Sequence, residues 1–296
     1  MATYFSTFIP GLGEVVKEQL EKLLEGFKCQ LLLDGLIVYQ SESDPEEIKQ
    51  LRFLNNSFLE VKPEEKIRVN LGKTFRVIFS KENEIVAVNR ERLARMEKKI
   101  TELNRLVVDR AEPDFEFWFL ERSEGFKFTG VRITKHPDYK DVLQKGQLRP
   151  ELTNLLCLIS NPQPIDVVLD PFAGSGAIPA ESANFPHKKI ISGDIKTGID
   201  ATKMADIADQ SIDKIITDPP WGISVGTDLD LPDFYSKMLS EFHRVLKPQG
   251  LAVILIGKKE LFEIVLAKFT DKFCMQKKYD ILVSGKKAAI YILTKR

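Results

Sequence analysis

Short apolar runs separated by turn residues, and stretches with helical spacing between them, divide this chain into an N-terminal part of mixed pattern and a C-terminal part in which strand and helix alternate. Over the first sixty residues the pattern predicts a strand at 4–9, a Pro10-Gly11 turn and an amphipathic helix at 12–24. Strands at 29–33 and 35–40 follow, joined at Asp34-Gly35, a strong hairpin signal. Asp44 before Pro45 reads as a helix start, with the carboxylate as N-cap and the proline at the first helical position. Between 66 and 131, strand-like runs at 73–80, 116–120 and 126–131 accompany a charged, exposed helix at 89–101. From Gly146 the texture changes: strands are expected at 166–169, 189–192, 214–217 and 251–256, with helices at 151–158, 178–183, 232–245 and 259–269. An antiparallel pair at 280–284 and 288–293, turning at Gly285-Lys-Lys287, closes the chain. Alternation of this kind predicts an α/β sheet whose parallel strands open on one edge, so loops distant in sequence share a crevice.

Composition bounds this picture without changing it. A chain of 296 residues with 43% hydrophobic and 29% charged positions is long enough to bury a core without staples. Cys29, Cys157 and Cys274 are odd in number and form no CxxC pair, which argues against a disulfide framework or a zinc site. No basic leader precedes a long apolar stretch, so a reducing cytoplasm is the expected compartment and no membrane contact is expected. The net charge is zero, yet residues 71–150 hold 17 Lys and Arg against 13 Asp and Glu, a modest basic bias that a solvated helix face around Arg90–Arg95 partly explains.

Two segments carry the chemistry. In Asp170-Pro-Phe-Ala-Gly-Ser-Gly176 a strand ends at Asp170 and a turn through Phe172, Gly174, Ser175 and Gly176 leads into a helix. Glycines let such a turn take unusual dihedrals and let a ligand approach the backbone. Full GxGxxG spacing and a P-loop lysine are both absent, which argues against a nucleotide phosphate. One strand later, Asp194 stands where an acid accepts from ribose hydroxyls, although a strand-end aspartate also serves as a loop cap. In Asp218-Pro219-Pro220-Trp221 two prolines fix an extended path and remove two amide donors. An aspartate and a carbonyl there can accept both hydrogens of an exocyclic amine, and Trp221 offers a face on which a base stacks, worth roughly 1–3 kcal/mol. The bland reading is a strand cap with a buried indole. His136, His187 and His243 are scattered, and no metal is expected.

Gly146-Gln-Leu-Arg-Pro-Glu-Leu152, the 170–176 turn, Asp194 and the 218–221 segment together resemble the Rossmann-like, S-adenosylmethionine-dependent amino-methyltransferases, and more narrowly the THUMP-associated tRNA guanine-N2 methyltransferases. The likeness covers roughly 132–296 and rests, upstream, on element order and on Gly130–Thr134 leading to Asp138-Tyr139. It implies a class I methyltransferase sheet (135–296) preceded by a ferredoxin-like α+β unit (1–62) and a THUMP-like region that positions RNA (63–134). It also implies that Gly146, Leu148 and Pro150 shape the methionine end of S-adenosylmethionine, that Asp170, Phe172, Gly174, Ser175 and Gly176 line its centre, and that Asp194 meets its ribose and Asp200 its adenine. Asp218, Pro219, Pro220 and Trp221 would clamp the amine. Only Ile-Lys-Thr-Gly-Ile separates Asp194 from Asp200, where the family has a helix and most of a strand, so the sheet is expected to be trimmed on that side, with a more open pocket.

The expected activity is methylation of an exocyclic base amine in RNA, first of all guanine N2 in tRNA. Adenine N6 of RNA or DNA suits the same clamp, and a non-catalytic RNA-binding protein retaining the fold is the alternative from a different class.

Overall fold

The structure, a computed structural model, describes residues 1–62, 64–67, 72–82, 84–134, 143–144, 146–222, 230–283 and 285–296. His136, the Asp138-Tyr139 pair and Ser284 at the end of an expected strand lie outside the described residues. The chain divides into two compact units, residues 1–8 with 16–137 and residues 9–15 with 138–296.

Among the described residues the first unit carries a nine-stranded sheet. Its elements are β1 (Ala2–Thr7), α1 (Gly13–Leu23), β2 (Lys28–Leu33), β3 (Leu36–Ser41), α2 (Pro45–Lys49), β4 (Asn56–Glu60), β5 (Thr74–Lys81), β6 (Glu84–Ile85), α3 (Arg90–Asn104), β7 (Val107–Val108), β8 (Phe115–Glu121) and β9 (Lys127–Arg132). The order is β2-β3-β1-β4-β9-β8-β5-β6, with β7 beside β5, so strands from 1–62 and from 63–134 share one sheet through the β4–β9 pair. Asp44 caps α2 as the sequence predicts, accepting from the Glu46 and Glu47 amides at 2.8 and 3.1 Å.

Phe5 pairs with Val38 on one side and Phe58 on the other, which puts all three on one face of the sheet. On that face Phe5 stacks on Phe58 at 4.7 Å between centroids, and Leu120 and Phe128 join the same buried cluster with Leu31, Leu33 and Trp118 packed against it. β2 and β8 are far apart in strand order, so a cluster containing both requires the sheet to curl. The Arg122 guanidinium closes the curl by donating to the Asp34 carbonyl at 2.8 Å.

The strand β4 escapes the hydrophobic pattern because it begins Asn-Ser. Its polar residue is used rather than solvated: Ser6 Oγ donates to Ser57 Oγ at 2.9 Å, and the Ser57 amide donates to Thr134 Oγ1 at 3.0 Å.

The second unit comprises α4 (Pro150–Ser160), β10 (Val167–Asp170), α5 (Ala177–Ser182), β11 (Lys189–Ser192), β12 (Ile212–Thr217), α6 (Leu231–Val245), β13 (Leu246–Ile256), α7 (Lys259–Leu266), β14 (Phe273–Val283) and β15 (Lys286–Lys295). Strand order is β11-β10-β12-β13-β15-β14, the first four parallel and the last two antiparallel. β11 stands at the edge, so the sheet is trimmed on the side the sequence predicts. β14 starts at Phe273 rather than at 280; its Lys277 and Lys278 mask the alternation, as charged residues do on an edge strand. Tyr235, Met238, Leu239 and Phe242 of α6 and Phe262 of α7 bury against Leu169, Ile215 and Ile254 of the sheet. α4 and α5 are tied by Asn154 Nδ2 donating to Glu181 Oε1 at 2.7 Å.

Phe5 is fully buried at the centre of the curl. Phe5→Ala should destabilise the first unit by roughly 3–5 kcal/mol, because the sheet's register prevents collapse into the void. The check is a lowered urea midpoint for the first unit; an unchanged midpoint would mean that the curl is not a packed core.

Candidate active site

The chain runs from β10 outward to β11 and then returns to β12 on β10's other flank, which makes β10/β12 the switch point of the sheet. Asp170 ends β10 and Thr217 ends β12. Thr217 Oγ1 donates to Asp170 Oδ1 at 2.7 Å, and the Phe172 amide donates to the same oxygen at 3.1 Å. Asp170 Oδ2 is buried and has no hydrogen-bond partner among the described residues. Burial pushes the Asp170 carboxyl up to about 7, against the pull of those two donors.

The turn that follows is pinned to the next strand's end. The Ala173 amide donates to the Gly193 carbonyl at 2.8 Å, and the Gly193 amide to the Asp170 carbonyl at 3.0 Å. Gly174 and Gly176 take φ of +48° and +79°, and Gly176 starts α5 with no side-chain cap. A Cβ built on Gly176 meets nothing within 4 Å, so the backbone there faces open space.

Thr217 leads directly into the second segment. Trp221 Nε1 donates to Asp218 Oδ1 at 2.8 Å, and Tyr235 Oη donates to the Pro220 carbonyl at 3.2 Å. Among the described residues this leaves Asp218 Oδ2 and the Pro219 carbonyl to accept from an amine. Burial, with Asp170 adding its negative charge, pushes the Asp218 carboxyl up to about 7, and the indole N–H opposes this. Burial and then Asp218 push the Tyr235 hydroxyl up to about 12. The indole lies on Gly257, just past β13: a Cβ there would overlap Trp221 Cδ2 and Cε3.

The structure therefore brings the 170–176 turn and the 218–221 segment together at one edge of the sheet, with Asp194 one residue past Gly193. Asp194 Oδ1 is engaged by its own turn, accepting from the Lys196 and Thr197 amides at 2.9 and 3.0 Å, which leaves Oδ2 for a ligand. Asp200 lines a pocket of about 700 Å³ along edge strand β11, together with residues 189–192, 198–199, 203–208 and 211; no residue of the 170–176 or 218–221 segments is in that lining. Asp200 Oδ1 accepts from the Thr202 amide at 2.8 Å and the Thr202 hydroxyl at 2.7 Å. Pro150 starts α4, and Gly146 has φ of +84° with open space about its Cα. Three participants escaped the sequence reading: Thr217, Tyr235 and Gly257. A threonine closing an apolar strand and a glycine directly after Leu251–Ile256 were the available signals; Tyr235 is indistinguishable from core.

The family described as RMKL-like, methyltransferase domain (UPF0020) matches residues 137–198 and 191–286, together just over half of the chain. The chain belongs to this family. This chain is 30% identical over 181 residues to the tRNA (guanine(6)-N(2))-methyltransferase THUMP3 of Mus musculus, covering 49% of this chain and 36% of that protein. It is 26% identical over 164 residues to the tRNA (guanine(6)-N2)-methyltransferase of Thermus thermophilus, covering 47% and 49%. The chain thus spans half or less of the length of these two relatives. Among solved structures, TrmN from Thermus thermophilus superposes with a TM-score of 0.77 at 21% identity over 100% of both chains. SMU.472 complexed with SAH gives 0.67 at 15%, over 98% and 97%. At these identities the likeness establishes the fold: a class I methyltransferase sheet in an α/β unit. Among the described residues, no helix is long and apolar enough to cross a membrane.

Both carboxyls titrate higher in the folded chain, near 7, than in the unfolded one, near 4, so between those values the folded state binds more protons. Their destabilising effect is absent below about pH 4, grows with rising pH and is complete above about pH 7. Asp170→Asn and Asp218→Asn keep the Oδ1 acceptors, so each should flatten the fall in urea midpoint between pH 4.5 and 8 and raise stability at pH 8. A steeper slope in either variant would contradict the assignment.

Proposed function

We propose that this RMKL-like methyltransferase uses S-adenosylmethionine to methylate the exocyclic amine of a base in RNA, with guanine N2 of tRNA as the substrate. The observation that carries the reading is the Thr217–Asp170 bond, which ties the strand end before the glycine turn to the strand end before Asp218. The names of the relatives, each a tRNA guanine-N2 methyltransferase, support the choice of base and RNA. On this reading residues 135–296 are the catalytic domain, while 1–62 and a THUMP-like 63–134 position the RNA. The exposed Arg90 and Arg95 of α3 are available to phosphates.

The residues present fit the cofactor: the open backbone at Gly176 admits a ligand, and the partnerless Asp170 Oδ2 awaits a donor. Gly146, Leu148, Pro150, Asp170, Phe172, Gly174, Ser175 and Gly176 would hold its amino-acid portion and centre, Asp194 its ribose through Oδ2, and Asp200 its adenine. When bound, S-adenosylmethionine supplies a methyl group on a sulfonium that departs as a neutral thioether, so the chemistry needs no metal.

The chain's own task is to aim the amine and dispose of its proton. Asp218 Oδ2 and the Pro219 carbonyl accept the two N–H groups, which directs the nitrogen lone pair out of the base plane, and alignment of this kind contributes much of the acceleration. As the nitrogen–carbon bond forms, the amine sheds one proton to Asp218. A carboxylate whose pKa is about 7 is well matched to accept it and to release it to water afterwards. A base in a paired stem must be flipped out to reach this crevice.

The deciding experiment incubates the full chain with labelled S-adenosylmethionine and unmodified tRNA, followed by nucleoside digestion. Labelled N2-methylguanosine is the expected product; labelled N6-methyladenosine would replace the substrate, and salt-dependent RNA binding without any transfer would identify a non-catalytic binder. Asp218→Ala should reduce transfer at least a hundredfold while S-adenosylmethionine affinity by calorimetry stays within about threefold. In the wild type, kcat/KM should rise with pH up to about 7 and level off, because Asp218 must be ionised to accept.

A further inference from the structure

We propose that Trp221 is a positioning residue as well as a stacking surface: its indole N–H, with the ring seated on Gly257, locks the Asp218 carboxylate and leaves Oδ2 as the acceptor for the amine. The proposal rests on the clamp reading above and deepens it, since it assigns Gly257 and the indole nitrogen to the specificity of that site.

Three observations converge. Trp221 is three residues from Asp218 and reaches back to it at 2.8 Å across a two-proline path that allows the backbone little adjustment. Gly257 is the only residue type that admits the ring in this place, because any Cβ there overlaps Cδ2 and Cε3 of the indole. With one ring face against Gly257, at most one face remains for a base. Finally, Tyr235 fixes the Pro220 carbonyl from α6, so both ends of the segment are tied and, among the described residues, Oδ2 and the Pro219 carbonyl remain to accept. Phenylalanine at this position would keep the stacking face and lose the donor. Tyrosine would carry its hydroxyl beyond the ring rather than at the indole edge.

The charged and hydrogen-bonding groups acting on Asp218 are Asp170 from the end of β10 and the indole itself, while Asp218 in turn acts on the Tyr235 hydroxyl of α6. Of these the indole N–H is the one that favours the ionised carboxylate, and Asp170 disfavours it. Loss of the N–H therefore both frees the carboxylate to rotate and weakens its hold on the amine.

The chain's two tryptophans make the test direct. Each indole donates to a carboxylate: Trp221 to Asp218, and Trp118 to Glu116 Oε2 at 2.8 Å. Despite burial, the Trp118 N–H with Arg132 and Arg76 keeps Glu116 below the usual carboxylate range, so that indole is an internal control. In the 15N–1H spectrum of the full chain, the Trp221 indole signal should move between pH 6 and 8 with a midpoint near 7, while the Trp118 signal stays fixed. The movement should vanish in Asp218→Asn and in Gly257→Ala. A Trp221 signal that ignores pH, or one that moves equally in Asp218→Asn, overturns the lock. In the methyl-transfer assay Trp221→Phe should lower kcat about 10- to 100-fold, the loss expected for a hydrogen bond to a charged group, with KM for RNA within about threefold. An unchanged kcat would mean that the ring acts by stacking alone, and the lock would be wrong. Should the wild type transfer no methyl group, the function reading fails by itself, while the spectral titration still decides the lock.

Discussion

The Thr217 hydroxyl donates 2.7 Å to Asp170, and through that bond two strand tips nearly fifty residues apart become one site. Parallel neighbours in a sheet already end on the same edge, but a shared edge fixes side chains only to within the freedom of the loops. Here the bond crosses the switch point from the last residue of β12 to the last residue of β10. The Gly193 amide does the same from the other flank by donating to the Asp170 carbonyl at 3.0 Å. Asp170 is thus the hub to which the glycine turn, the Asp194 loop and the Asp218 segment are fastened.

Holding two carboxylates so close to one another, in a place that shields them from water, runs against their solvation. Both are raised to about 7, and each acquires only a partial set of donors: a hydroxyl and an amide for Asp170, an indole N–H for Asp218. A fold selected for stability alone would not leave a buried atom such as Asp170 Oδ2 without a partner among the described residues. The unmet capacity is what a bound donor can satisfy. Polar atoms left short of partners in the protein gain most from binding something that supplies them.

Much of this was legible in the sequence because the informative residues are those with backbone consequences. Gly174, Gly176 and the Pro219-Pro220 pair announce turn geometry directly, and Asp44-Pro45 announces a helix start that forms as expected. The strands β10 and β12 were visible as apolar runs ending in Asp170 and Thr217. What escaped notice has a common cause, namely that partners distant in sequence decide the role of an ordinary residue. Tyr235 occupies a core position of an amphipathic helix, and only the fold reveals that its hydroxyl meets Pro220. Gly257 looks like any strand-end glycine until the Trp221 ring is found against it. β4 hides because its polar start bonds sideways to Ser6 and Thr134 instead of facing water.

The edge beside β11 poses a separate physical problem, since residues 200–211 form neither helix nor strand and must be held without ladder hydrogen bonds. Residues 200–211 solve it with side chains. Arg244 on α6 donates to the Met204 carbonyl at 2.7 Å, the Ile207 carbonyl at 2.8 Å and Asp209 Oδ1 at 2.6 Å, while Glu241 accepts from the Met204 amide at 2.7 Å. A guanidinium has five donors in a rigid fork, so one arginine can span several carbonyls that a strand would otherwise have paired. Met204 and Ile207 then turn inward to the core shared with α6. The outer wall of the pocket beside β11 is consequently anchored from α6, the helix that also supplies Tyr235 to the Pro220 carbonyl. One helix therefore buttresses both the Asp200 loop and the Asp218–Trp221 segment, so the short edge beside β11 and the end of β12 share one support.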